Sequence, residues 1–86
     1  MNEMVEQISE ISTMINRLNE IHADLSVPRN VRTKIELIID TLRKDTELSI
    51  KINKTLSELD EIASDSNLQA YTRTQLWNVI SMLEKL

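Results

Sequence analysis

The chain has 86 residues, of which 41% are apolar and 28% are charged, and its formal net charge is −4. It contains no cysteine, which excludes disulfides, thiolate chemistry and cysteine-based zinc sites. It also contains no glycine, the residue that tight hairpin turns and phosphate-cradling loops require, so an all-α fold is favoured.

Four segments carry apolar residues at every third or fourth position, which is the spacing of one face of a helix. They predict helices over residues 2–23, 28–43, 46–64 and 69–85. The first two apolar stripes are Met4, Ile8, Ile11, Ile15, Leu18 and Leu25, then Val31, Ile35, Ile38, Ile39 and Leu42. The last two are Leu48, Ile52, Leu56, Leu59 and Ile62, then Leu68, Leu76, Val79, Ile80 and Leu83.

Short connections between these segments make each helix an antiparallel neighbour of the next. The whole chain, residues 1–86, is therefore predicted to be one all-α domain: a four-helix bundle built from two tandem antiparallel helical hairpins. Either an up-and-down arrangement or a twist toward stacked repeats would bury the apolar faces.

Several residues at the predicted helix ends suit their positions. Ser26, Asp45 and Asn67 are typical N-cap residues, because their side-chain oxygens can accept from the first N–H groups of a helix. Pro28 suits a first turn, where its missing N–H costs nothing. These residues support the boundaries that the apolar stripes predict.

The two halves of the chain resemble each other. When residues 7–42 are laid over residues 48–83, nine pairs are identical. They are Ile11/Ile52, Leu18/Leu59, Glu20/Glu61, Ile21/Ile62, Asp24/Asp65, Arg32/Arg73, Thr33/Thr74, Ile39/Ile80 and Leu42/Leu83. A period of this length suits a two-helix unit, so we interpret the chain as a duplicated hairpin with HEAT-like repeat character.

The first and third connections should lie at the same end of such a bundle, and arginines cluster there. Arg29, Asn30, Arg32 and Arg73 begin the second and fourth helices. Because helix N-termini favour anions, these side chains are candidates for binding a phosphate, a carboxylate or an acidic patch on a partner.

Arg32 and Arg73 also have a structural interpretation. Each recurs in register with an aspartate, Asp24 or Asp65, and an Asp–Arg pair could fix the loop to the following helix. Arg29 has no basic counterpart in the second hairpin, so it is the better candidate for binding.

Trp77 is the second candidate for contact with a partner. It lies at the flank of the fourth apolar stripe, and its counterpart in the first hairpin is the solvent-type residue Glu36. We expect partial exposure, with Arg73 able to lie over the ring. A Trp that only closes the edge of the core is the alternative interpretation.

Catalysis is not expected. His22 is the only histidine, it occupies the step between Leu18 and Leu25 in the first stripe, and nothing in the pattern gives it a base or a metal to work with. We therefore expect no enzyme, no cofactor and no metal, and His22 is interpreted as a residue at the boundary of the helix. No leader or membrane-spanning pattern is recognisable, so a cytoplasmic location is expected.

The motifs Val27–Arg32 (VPRNVR), Leu59–Ile62 (LDEI) and Thr72–Glu84 (TRTQLWNVISMLE) resemble a family of small archaeal proteins, the uncharacterised protein family 0147 of the UPF series. The resemblance implies an archaeal, cytosolic helical bundle and no assigned activity. The chain departs from the family's pattern at Ser66 and Gln69, where that pattern has prolines. The P-x-x-V-R turn is also similar to the turns of HEAT-type repeats.

Together these features favour a non-catalytic helical module that binds another protein and could also self-associate. A second hypothesis is association with RNA or the ribosome through the basic end of the bundle. The net negative charge disfavours it, since such binding depends on neutralising phosphates. The side chains that it would use are Arg29, Arg32, Lys34 and Arg73.

Overall fold

Four helices form the protein in a computed structural model that describes the backbone of residues 3–86 and the side chains from residue 8 onward. They are α1 (Glu3–Ala23), α2 (Arg29–Arg43), α3 (Leu48–Ala63) and α4 (Ala70–Glu84), and this part of the chain contains no strand. Every boundary lies within two residues of its predicted position.

The helices pack in a closed square. α1 packs against α2 and α4, and α3 packs against the same two helices, whereas the diagonal pairs do not meet. The bundle measures 41 × 20 × 20 Å. The predicted bundle of two antiparallel hairpins is confirmed and takes the up-and-down form. The HEAT-like repeat character is not confirmed, because stacked repeats would bring the like helices of the two hairpins together.

The core is entirely aliphatic apart from two buried threonines, Thr55 and Thr72. In α2 all five residues of the predicted stripe are buried, and so are Leu76, Val79, Ile80 and Leu83 of α4, with Leu68 just before it. These two helices therefore orient as their sequence patterns predict.

The predicted stripe of α1 is partly wrong. The helix buries Met14, Leu18 and Ile21, with Ile11 and Ile15 only partly buried at the flank. Ile8 and Leu25 are exposed, and Met4 lies outside the described side chains. Leu25 does not lie in the core because α1 ends at Ala23. The seven-residue step from Leu18 to Leu25 therefore extends beyond the helix.

The stripe of α3 shows a smaller difference of the same kind. Leu59 and Ile62 are buried as predicted, whereas Leu48, Ile52 and Leu56 are only partly buried. Thr55 and Ala63 complete the buried face. The hydroxyl of Thr55 lies in the position equivalent to Met14 of α1 and has no hydrogen-bond partner.

The predicted caps are also corrected. The residues before the first helical residue are Pro28, Glu47 and Gln69, and none of the three makes a side-chain cap hydrogen bond. The Pro28 carbonyl accepts from the N–H groups of Val31 and Arg32. Ser26 and Asn67 instead belong to turns within the connections.

Candidate functional site

The first and third connections have the same local structure, built around an aspartate. The Asp24 carboxylate accepts from the backbone N–H of Ser26 at 2.9 Å and from its hydroxyl at 2.7 Å. The Asp65 carboxylate accepts from the backbone N–H of Asn67 at 2.9 Å. Asx-turns of this kind replace a conventional N-cap, because the short side chain satisfies the loop instead of the helix.

These hydrogen bonds affect the acidity of Asp24. The hydroxyl of Ser26, followed by its backbone N–H, lowers the pKa of this carboxyl group below its ordinary value. Desolvation opposes this shift, and the charge of Arg32 makes the smallest contribution, also lowering the pKa. Both Ser26 donors bind the ionised form preferentially, which is the reason for the direction of the shift.

Arg32 and Arg73 fix these two connections to the helices that follow them. The Nε of Arg32 donates to the carbonyl of Val27 at 3.1 Å. Arg73 is bound more extensively. Its Nε donates to Ala63 at 3.0 Å, and its Nη2 donates to the carbonyls of Asp65 and Leu68 at 2.8 and 3.3 Å. The Ala63 carbonyl ends α3, where carbonyls lack partners within the helix, so Arg73 both caps α3 and closes the third connection.

The expected pairing of each arginine with its aspartate carboxylate is therefore wrong. The only ion pair within 4.0 Å among residues 8–86 is between His22 and Glu36, at 3.6 Å. The arginines instead donate to backbone carbonyls, and the aspartates accept from Ser26 and Asn67. Recurrence of Asp with Arg correctly indicated a fixed turn, but it indicated the wrong acceptor.

His22 lies at the end of α1 and faces α2 across that pair. Both side chains are largely open to solvent, and the pair bridges α1 and α2 only when the imidazole is protonated. This position agrees with the interpretation of His22 as a boundary residue.

The bundle brings the two arginine-fixed turns to the same end, at opposite edges of a face about 20 Å across. Arg29 and Asn30 are exposed at the start of α2, whereas Arg32 and Arg73 are half-buried. The four candidate residues of this end therefore separate into two that fix the fold and two that are open to solvent.

Both aromatic residues of the chain lie on the outside of α4. Trp77 is 47% exposed and Tyr71 is 69% exposed, so the core contains no aromatic side chain. The expected partial exposure of Trp77 is observed, while the guanidinium of Arg73 is directed to backbone carbonyls. The exposure of Tyr71 was not predicted from the sequence. Its counterpart in the first hairpin, Asn30, is a polar residue typical of the surface, as is Glu36, the counterpart of Trp77.

The exposed part of α4 is free of charge over most of its length. We call it the α4 outer face and define it by Ala70, Tyr71, Thr74, Trp77, Asn78 and Ser81, all exposed. None of these residues carries a formal charge, in a chain where 28% of residues do. The helix bearing this face thus presents two aromatic rings among small and amide side chains.

The opposite end of the bundle carries a shallow open groove of about 230 Å³ beside the second connection. Its lining residues are Thr41, Lys44, Thr46, Ile50, Lys51 and Lys54. The ammonium of Lys51 donates to the carbonyls of Leu42 and Lys44 at 3.4 and 3.0 Å, so this lysine caps the end of α2.

Over the described residues, no three His, Cys, Asp or Glu side chains group closely enough to hold a metal ion. None of the helices in this part of the chain is both long enough and apolar enough to cross a bilayer.

The fold and the site define a class of protein: a small up-and-down helical bundle with an aliphatic core and one charge-free outer helix face. The model of the uncharacterised protein family UPF0147 matches residues 1–86, so the chain belongs to that family and the resemblance noted from its motifs is confirmed. The family is uncharacterised and brings no assigned activity with it.

Named relatives agree with this assignment. The UPF0147 protein of Methanosarcina mazei is 36% identical over 96% of both chains. That of Pyrococcus abyssi is 31% identical over 100% of this chain and 99% of its own. A crystal structure of a UPF0147 protein from Thermoplasma acidophilum superposes with a TM-score of 0.86 at 34% identity, covering 91% of this chain and 93% of that one.

Proposed function

We propose that the protein is a non-catalytic helical module that binds another protein through the α4 outer face. The observation that carries the proposal is the placement of the two aromatic residues. Trp77 and Tyr71 are both exposed on one helix, on a surface without charges, while the core contains aliphatic residues and two threonines but no aromatic residue.

The first hairpin provides an internal comparison for this face. α2 and α4 have the same length and begin and end at equivalent positions of the two halves. Where α4 has Ala70, Trp77 and Ser81, α2 has the charged residues Arg29, Glu36 and Asp40, all exposed. The same scaffold thus carries an ordinary solvated face on α2 and a charge-free aromatic face on α4.

The composition of the α4 outer face is that of an interface centre. Such centres are depleted in charged residues and enriched in aromatic ones, and Trp and Tyr are common among the residues that contribute most to binding. The exposed half of a Trp ring contributes no hydrophobic stabilisation, because only apolar surface that is removed from water does so. A bound protein would complete that burial.

The same geometry weakens the alternative of RNA binding at the basic end. Two of its four cations, Arg32 and Arg73, are hydrogen-bonded to the backbone, and Asp24 and Asp65 lie in the same turns. Arg29 and Lys34 remain as exposed cations there. Since affinity for nucleic acid grows with the number of phosphates neutralised, two such cations support weak binding at most.

The proposal therefore includes the expectations that the protein has no catalytic activity of its own and works in the cytoplasm. It also interprets the two hairpins as copies of one repeat, whose second copy has acquired the binding face.

A photocrosslinking amino acid at position 77, with position 36 as the matched control, tests the proposal. Both positions are exposed at equivalent places on α4 and α2. Irradiation of growing cells should give a discrete protein adduct from position 77 and none from position 36. Equal labelling at both positions, no adduct at position 77, or an adduct removed by ribonuclease would contradict it.

A further inference from the structure

We infer that the α4 outer face binds a second copy of this chain, with the two α4 helices antiparallel about a two-fold axis between Trp77 and Asn78. The inference rests on the proposed function and names its partner. It follows from the charges of the surface, from the register of α4 and from the available area.

Charge favours a second copy as the occupant. The chain carries a formal net charge of −4, so two copies repel each other over most orientations. The α4 outer face allows them to meet without opposing like charges, because none of its six residues carries a formal charge. A strongly charged partner would have no oppositely charged groups to bind on this face, whereas a second copy presents an equally neutral surface.

The register of exposed positions is self-complementary. Turning α4 about an axis between Trp77 and Asn78 places each exposed residue against another exposed one. Trp77 and Asn78, next to the axis, each lie against their own copy on the partner, and Thr74 lies against the partner's Ser81. Tyr71 lies at the height of the partner's Glu84, on the opposite flank of the contact. A two-fold interface requires this reciprocity, since each contact must occur twice.

The paired side chains also fit chemically. The carboxylate of the partner's Glu84 lies by the N-terminus of the neighbouring α4, where the helix dipole favours negative charge. Thr74 and the partner's Ser81 are small, so the helix axes can approach to about 8–10 Å and bring the two indole rings together across the axis.

The area sets the expected strength. A standard interface covers about 800 Å² of each partner, which is roughly one seventh of the 5576 Å² surface of this chain. A helix of 15 residues is about 22 Å long and about 10 Å wide, so contact along α4 alone covers less than this area and the dimer should be weak. We expect a dimer with a dissociation constant in the micromolar range.

Single-cysteine variants test the register directly, because the chain has no cysteine of its own. Two copies of position 78 are offset by only about 1.5 Å along the helix axes, whereas two copies of position 74 are about 10 Å apart. A disulfide requires a Cα separation of about 4.4–6.8 Å. Asn78→Cys should therefore crosslink to itself under mild oxidation, and Thr74→Cys should not.

Two further variants complete the set. The double variant Thr74→Cys with Ser81→Cys should crosslink, since each cysteine faces the other on the partner. Leu37→Cys is the matched control, because Leu37 is exposed at the equivalent position of α2, and it should stay uncrosslinked. Equal crosslinking of Asn78→Cys and Leu37→Cys, or of Asn78→Cys and Thr74→Cys, would overturn the inference.

Sedimentation equilibrium of the unmodified chain across the micromolar range gives an independent measure. The mass should rise from 10.0 kDa toward twice that value, and Trp77→Glu, which installs the residue of α2, should shift the dissociation constant at least tenfold. A chain that stays monomeric and does not crosslink at position 78 contradicts the dimer. If position 77 then crosslinks to a different protein in cells, the proposed function stands and only its partner is wrong.

Discussion

Replacing Arg73 by Ala should destabilise the protein more than replacing Arg32 by Ala, although the two residues are equivalent in the repeat. Arg73 donates to three carbonyls at 2.8–3.3 Å, whereas Arg32 donates to one at 3.1 Å. A hydrogen bond contributes about 1 kcal/mol net, and both side chains are half-buried. The expected losses are therefore about 3 kcal/mol for Arg73→Ala and about 1 kcal/mol for Arg32→Ala.

Urea unfolding followed by circular dichroism measures both free energies of unfolding. For a domain of this size, 1 kcal/mol corresponds to about 4–8 °C in melting temperature, so thermal unfolding resolves the difference as well. Arg73→Lys is the matched variant: it keeps the charge but cannot span carbonyls on α3 and the connection together, so it should recover only a minor part of the loss. Equal losses for the two Ala variants, or full recovery by Lys, would show that charge rather than carbonyl capping explains these arginines.

Two further predictions concern stability. Thr55→Val should stabilise the protein by about 1 kcal/mol, because it removes a buried hydroxyl without a partner and keeps the side-chain shape. The exposed Thr33, whose hydroxyl donates to the Arg29 carbonyl, is the control, and Thr33→Val should leave the midpoint of urea unfolding unchanged or slightly lower. Asp24→Asn should reduce stability at neutral pH but not in acid. The folded-state pKa of Asp24 is lowered, so its ionised form adds stability above the unfolded-state pKa, and this contribution disappears as the pH falls through the folded-state value. The unfolding free energies of the two proteins should differ at pH 7 and converge at a pH below the folded-state pKa of Asp24; a difference that does not change with pH would contradict this assignment.

The pattern of apolar residues was sufficient to predict the fold, and it predicted the buried face best in α2 and α4. The stripe residues inside these two helices recur at three- and four-residue steps, and all of them are buried. In α1 the stripe was extended by a seven-residue step to Leu25, beyond the end of the helix. Within the helix the predicted face also included Ile11 and Ile15, which are only partly buried, and omitted Met14 and Ile21, which are buried.

The candidate site was predictable only in part, for a different reason. The position of Trp77 opposite Glu36 in the repeat correctly predicted an exposed ring. The acceptors of Arg32 and Arg73 could not be predicted, because they are backbone carbonyls and leave no trace in the residue types. Tyr71 was predictable in the same way, because its counterpart in the repeat is the polar residue Asn30, but this comparison was applied only to Trp77.

The fluorescence of Trp77 is the most direct measure of whether the α4 outer face is covered, since this is the only Trp in the chain. If a second copy covers this face, the emission of Trp77 should shift to shorter wavelength as the protein concentration rises through the micromolar range. Thr74→Glu keeps the reporter but places a charge in the interface, and should show no shift, whereas Thr33→Glu on α2 should behave as the unmodified chain. Emission that does not change with concentration in the unmodified chain would contradict the account.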